Sequence, residues 1–296
     1  MAFARPGLSL ALASLLAGVS IPSLGHGNQA APASTYESVH FATTWTDEKV
    51  TLDFARRLTE KADAIALRMT GLTAELQWPE RKLVITLGGP GHGQDMTVRI
   101  PYVDAHGNVF LFRYSDRVTD YFNELAHELV HALLRSAGHP YVPFLEEGYA
   151  DWIATTVDDA MGFPRYGYDA DLLAGFLVAT NRAIPLEKLH VNRERVLETC
   201  MMQAYIQSAS LVQYIAATYG SPTPHALVTS HYRAQATGQS DPYLQITGQP
   251  LSALEVRWQA YVLKAFGAVS DAEIQVTAYL EDTPISYYGI CEPGLR

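Results

Sequence analysis

Residues 118–137 run VTDYFNELAHELVHALLRSA and read as a single helix closed by Gly138 and Pro140. Inside it lies His127-Glu128-Leu129-Val130-His131. Two histidines at i and i+4 project from one face of a helix. Their imidazoles can therefore grip one Zn²⁺ at about 2.0–2.1 Å. Glu128 follows one residue on, about 100° around the helix. That puts it beside the metal rather than on it, where it can take a proton from a water polarised by the ion. The apolar neighbours Leu125, Leu129, Val130 and Leu133 would bury the helix and shield the site from bulk water.

A catalytic zinc wants three protein ligands and one open position. The next segment, Phe144-Leu145-Glu146-Glu147-Gly148-Tyr149-Ala150-Asp151, offers the third. Glu147 and Asp151 are four apart and share a helix face. Glu147 could bind the metal, and Asp151 could accept a hydrogen bond from the far nitrogen of a ligand histidine, fixing its tautomer. The competing ligand is Glu146. Its i+4 partner is Ala150, which cannot supply that second carboxylate, so Glu147 is preferred. His139 lies between the two segments and is assigned to the loop rather than to the metal.

His127-Glu128-x-x-His131 followed by Glu147-Gly148-x-Ala150-Asp151 resembles the gluzincin metallopeptidases, a group that includes thermolysin and the aminopeptidase N-like enzymes. The resemblance covers roughly residues 38–220. It implies zinc held by His127, His131 and Glu147, with Glu128 as general base and Asp151 orienting a ligand histidine, His127 by preference. The spacer from His131 to Glu147 is short for the group, so the interhelical loop should be tight. A second match is Tyr205-Ile206-Gln207-Ser208-Ala209-Ser210, which is similar to the Tyr-x-x-Gly/Ser-Ala-Ser segment of the aminopeptidase N-like group. There the tyrosine hydroxyl donates to the oxyanion, and the resemblance implies that role for Tyr205. His231 is the runner-up for it. The Gly-x-Met-Glu-Asn anchor that holds the free amine in aminopeptidases is absent, which leaves endopeptidase and exopeptidase action both open. In its place stands the strand at residues 107–114, GNVFLFRY, whose backbone could pair with an extended substrate as edge strands do.

Working outward, residues 38–44 could form a first strand. Residues 46–69 carry a helical period through Val50, Phe54, Leu58, Ala62, Ile65 and Met69, with Gly71 as the stop. Residues 82–87 read as a buried strand, and 97–103 and 108–114 as two more, joined by a turn at 104–107. The loop GGPGHG at 88–93 lacks the Lys-Ser/Thr of a phosphate loop. Further helices are expected at 143–157, 171–180, 203–219 and 251–266; beyond Ser221 no motif is legible. Strands first and helices afterwards predict an α+β domain. The resemblance implies a twisted N-terminal sheet followed by a mainly helical part. The expected division is a signal peptide over 1–25, a linker over 26–35 and one metallopeptidase domain over 36–296, with its sheet part about 36–115 and its helical part about 116–296.

The chain has 296 residues, 48% of them hydrophobic and 18% charged, which excludes a disordered chain or a small disulfide scaffold. Its net charge of −10 repels phosphate backbones, so no nucleic-acid partner is expected. Arg5, the apolar run LSLALASLLAGV at 8–19, and Ser23 and Gly25 before His26 read as a cleavable secretory signal. The apolar run is too short for a membrane span, which needs roughly 20 residues. No later stretch is longer, so the mature chain is expected to be secreted or periplasmic with no membrane span. In such a compartment Cys200 and Cys291 could pair; the oligomeric state is not legible. The expected activity is zinc-dependent hydrolysis of a peptide or protein substrate. The alternatives are a non-catalytic peptide- or cell-wall-binding module on a peptidase fold, and a zinc hydrolase of another amide or ester.

Overall fold

The computed structural model describes residues 33–46, 50–73, 76–87, 102–111, 119–157, 169–191, 193–237 and 241–282. The expected signal segment, most of the linker, the GGPGHG loop and Cys291 lie outside these residues, as does the side chain of Cys200.

A sheet comes first. β1 (Ser34–Glu37) turns back through Ser38, whose N–H donates to the carbonyl of Phe41 at 2.9 Å, into β2 (Phe41–Trp45). Along β2 the side chains alternate, so that Phe41, Thr43 and Trp45 point into the core. α1 (Leu52–Leu72) follows. It starts later than residue 46 because the side chain of Thr51 accepts from the N–H of Phe54 and so fixes the first turn. It buries Phe54, Leu58, Ala62, Ile65 and Met69 on one face, the period seen in the sequence. The buried hydroxyls of Thr43 and Thr59 meet at 2.6 Å and tie α1 to β2.

β3 (Leu83–Leu87) returns parallel to β2, which the helical crossover through α1 makes possible. β5 (Val109–Leu111) lies parallel to β3 on its other side, and β4 (Tyr102–Val103) pairs antiparallel with β5. The sheet order is β1-β2-β3-β5-β4. The strand expected to offer its edge to a substrate is therefore an interior one. β5 hydrogen-bonds to β3 on one side and β4 on the other, and β4 takes the edge, because the turn at Asp104–Gly107 folds β4 back against it. Asp104 shapes that turn by accepting from the N–H groups of His106 (2.8 Å) and Asn108 (2.9 Å). Gly107 has φ +79°, and a Cβ there would stand 2.5 Å from the carbonyl oxygen of Ala132. The hairpin tip thus rests on the helix that carries the histidine pair.

The helical part comprises α2 (Thr119–Ser136), α3 (Pro143–Val157), α4 (Ala170–Ala179), α5 (Leu186–Val191), α6 (Arg193–Tyr219), α7 (Thr223–Thr237), α8 (Pro242–Thr247), α9 (Leu251–Gly267) and α10 (Ala272–Asp282). α3 has the predicted bounds, whereas α6 begins at Arg193 rather than Gln203. α5, α7, α8 and α10 were not foreseen. One contiguous core joins the inner face of the sheet (Phe41, Leu83, Ile85, Leu87) to α2, α3, α6 and α9. The chain is a mixed α+β protein. Among the described residues no helix is long and apolar enough to cross a membrane.

Candidate metal centre

The site is built where α2 stops and α3 starts. Gly138 takes a left-handed conformation at φ +80°. Its N–H donates to the carbonyl of Arg135 (2.9 Å), and that of His139 to Leu134 (3.0 Å), which closes the last turn of α2. Pro143 then opens α3, where its fixed φ suits the first helical position. The connection is as tight as the short spacer required. α3 is pressed onto α6 at Gly148, where a Cβ would collide with the side chain and backbone of Ser208. Ser208 in turn donates its hydroxyl to the carbonyl of Phe144. Glycine is needed there for close approach of two helices, not for a turn.

That packing brings Glu147 to the two histidines. Nε2 of His127 lies 3.0 Å from Nε2 of His131 and 3.0 Å from Oε2 of Glu147, and Nε2 of His131 lies 3.6 Å from Oε1 of Glu147. All three residues are buried, and one ligand atom from each falls within 4.8 Å of the others. Metal–ligand bonds of about 2.0–2.1 Å in a tetrahedron imply ligand separations of about 3.3 Å, so the spacing fits a metal ion.

The far nitrogens are held as well. Nδ1 of His127 lies 2.6 Å from Oδ1 of Asp151. Nδ1 of His131 lies 2.7 Å from Oε1 of Glu146. A carboxylate that accepts from Nδ1–H fixes the tautomer whose Nε2 lone pair points at a metal. Glu146 thus partners a histidine and is not among the three grouped ligand residues. Its carboxylate, held at the far nitrogen of His131, also accepts from Arg135, from the hydroxyl of Tyr232 (2.7 Å) and from the N–H of Val142 (3.0 Å). Adjacent positions on a helix point about 100° apart, so Glu146 and Glu147 serve different nitrogens.

The electrostatics favour positive charge on His131 beside an ionised Glu147. Burial opposes a charge on His131, but the carboxylate of Glu147 and the hydrogen bonds from Glu146 and Glu147 outweigh it and push its pKa up to about 10. Burial likewise works against ionised Glu147, yet His131 and His127 hold its carboxyl well below the usual range. The hydroxyl of Tyr141 donates to Oε1 of Glu147. Its pKa is raised by burial first, then by the charge of Glu147 and by Tyr205, so it stays a donor.

Of the other expected residues, Glu128 is buried on α2. Tyr205 is half-buried on α6 and lies close enough to Tyr141 to act on it electrostatically. His139 stacks on Tyr232 with ring centroids 4.9 Å apart, in the loop role expected of it. His231 is not among the three grouped ligand residues. It stacks on His190 at 5.4 Å and meets Tyr243 at 5.1 Å. Four residues escaped the sequence reading: Glu146 as a histidine partner, Arg135, Tyr141 and Tyr232. For Arg135 a signal existed, since it lies one helical turn beyond His131. For Tyr232, distant in sequence, there was none.

Compared with known proteins, the chain matches no protein-family model, no curated protein and no solved structure. What can be said of its chemistry rests on the site itself.

Proposed function

We propose that this chain is a zinc-dependent metallopeptidase of the gluzincin type, exported from the cytoplasm on the strength of residues 1–25. One observation carries the reading. Two Nε2 atoms and one carboxylate converge in a buried cluster, and each histidine has its own carboxylate behind it. The nitrogen and oxygen donors suit zinc, and three protein ligands leave the fourth position that catalysis needs.

When bound, the ion supplies Lewis-acid polarisation of a carbonyl and a lowered pKa for a water. The protein supplies the rest. Glu128, one residue after His127 and buried, takes the proton of the attacking water and passes it to the leaving amine. Tyr205 donates its hydroxyl to the developing oxyanion; one such donor typically lowers the barrier by about 2.7–4 kcal/mol. Asp151 and Glu146 keep the two imidazoles in one tautomer throughout. A peptide is the substrate class that the resemblance to the gluzincins implies.

The test is metal analysis of the purified protein together with a mass-spectrometric map of products from a peptide library. One zinc per chain with cleavage that stops on chelation is expected. Zinc without cleavage would leave a binding module, and absence of metal would end the reading.

A further inference from the structure

We propose that Tyr141 is the positioning residue that makes Glu147 a one-oxygen metal ligand. The inference rests on the metal centre proposed above and adds to it how the open position is kept open.

Tyr141 stands in the loop between α2 and α3. Its side chain is 38% exposed, yet its hydroxyl reaches inward to Oε1 of Glu147. The ring is held from two sides. The guanidinium carbon of Arg135 lies 5.3 Å from its centroid, and His131 meets it edge-on at 5.9 Å between centroids. Arg135 is itself fixed by Glu146 and by the carbonyl of His139 at 2.5 Å. The hydroxyl therefore has a defined place.

The two oxygens of Glu147 are not equivalent. Oε2 approaches Nε2 of His127 to 3.0 Å, whereas Oε1 lies 3.6 Å from Nε2 of His131. A phenolic hydroxyl bonded to Oε1 occupies a lone pair there and pins the plane of the carboxylate. Oε2, the oxygen with the closer imidazole approach, is left free of the phenol to bind an ion beside His127. With one donor from Glu147 the protein contributes three bonds, and a tetrahedral ion keeps one position for water or substrate. Were both oxygens to bind, the ion would carry four protein bonds, and a water or carbonyl could enter only by raising the coordination to five. Hydrogen bonds to a ligating carboxylate are the usual means of fixing its binding mode.

Zinc and cobalt(II), each alone, are the probes, and the full chain is the sample. Wild-type protein is loaded with zinc and its coordination number measured by X-ray absorption. It is separately titrated with zinc against a chelating dye, and with cobalt(II) followed by visible absorption. Tyr141→Phe keeps the ring under Arg135 and removes only the hydroxyl. The wild type should show a four-coordinate ion with one carboxylate oxygen. The variant should bind zinc about 10- to 100-fold more weakly. Its cobalt bands should lose intensity as the second oxygen joins. Unchanged cobalt bands in Tyr141→Phe overturn the proposal, whatever happens to affinity, and leave the metal centre standing. So does a wild-type zinc site bound through both oxygens of Glu147, a result that does not depend on the variant folding. A wild type that binds neither ion overturns both the centre and the role of Tyr141.

Discussion

Asp151 commits one carboxylate oxygen, Oδ1, to Nδ1 of His127 at 2.6 Å, while its other oxygen, Oδ2, is buried with no hydrogen-bond partner among the described residues. A buried carboxylate oxygen without a partner is costly. The arrangement is stable only if the bond to His127 is strong, and that bond strengthens when the imidazole gives its Nε2 lone pair to a metal.

Asp151→Asn should therefore lower zinc affinity by about 10- to 100-fold while the fold is kept, since the amide oxygen can still accept from Nδ1 but carries no charge. Competition against a chelator of known affinity measures this. An unchanged dissociation constant would remove Asp151 from the site.

Glu128→Gln should retain zinc and lose hydrolysis by a factor on the order of 10²–10⁴, the range attributed to a general base. The amide keeps the size of the buried side chain but has no basic oxygen. The check is metal content beside the rate on a cleaved peptide. Parental rates in a zinc-loaded variant would exclude Glu128 as the base.

Gly148→Ala should destabilise the protein by about 1–3 kcal/mol, because the added methyl meets the backbone of Ser208 and one helix must move. Since Gly148 adjoins Glu147, zinc affinity should fall with stability. Denaturant midpoints with and without zinc report the two effects. A variant as stable as the parent would show that α3 and α6 are not so closely opposed.

The stacked pair His190 and His231 gives a pH dependence that can be signed. Burial, with the neighbouring His231 adding to it, pushes His190 down to about 3; burial pushes His231 down to about 4. Unfolded histidine titrates near 6.5, so the unfolded chain binds more protons below that value. The stability due to these neutral rings is complete above pH 6.5 and is lost as pH falls through the window to about 4 and 3. His231→Phe keeps the ring stack, and Nε2 of His231 has no partner to lose. The variant should match the parent at pH 7 and exceed it by about 1–2 kcal/mol at pH 5. Melting curves at both values decide it; parallel curves would mean that His231 titrates in the folded protein as it does in the unfolded chain.

The histidine pair was legible because i and i+4 on a helix is a geometric statement, and Glu147 because Asp151 shares its face. The start and end of α3 were legible from Pro143 and the apolar run behind it. What stayed hidden has physical reasons. Tyr141 sits in a loop, where no period tells which way a side chain points. Glu146 was weighed only as a ligand, because sequence shows that a carboxylate is present but not which nitrogen it serves. β5 passed for an edge strand because strand order is set by non-local pairing and not by the residues 108–114 themselves. Of the helices not foreseen, α5 and α8 span only six residues each, too few to establish a period. α1 shows the converse: its buried positions were read correctly while its start was not, since a single hydroxyl, that of Thr51, chose the first turn.

Glu128, Glu146, Glu147 and Asp151 are all buried on two neighbouring helices, and Arg135 pairs with Glu146 among them. Four carboxylates are thus gathered in a space that water does not freely enter, with Arg135 and His131 as cations beside them. On the proposed function, a doubly charged ion would be an electrostatic keystone for the α2–α3 corner as well as a reagent. Stripping it should leave that corner swollen by self-repulsion, the first part of the molecule to exchange its amide hydrogens and the first a protease would find.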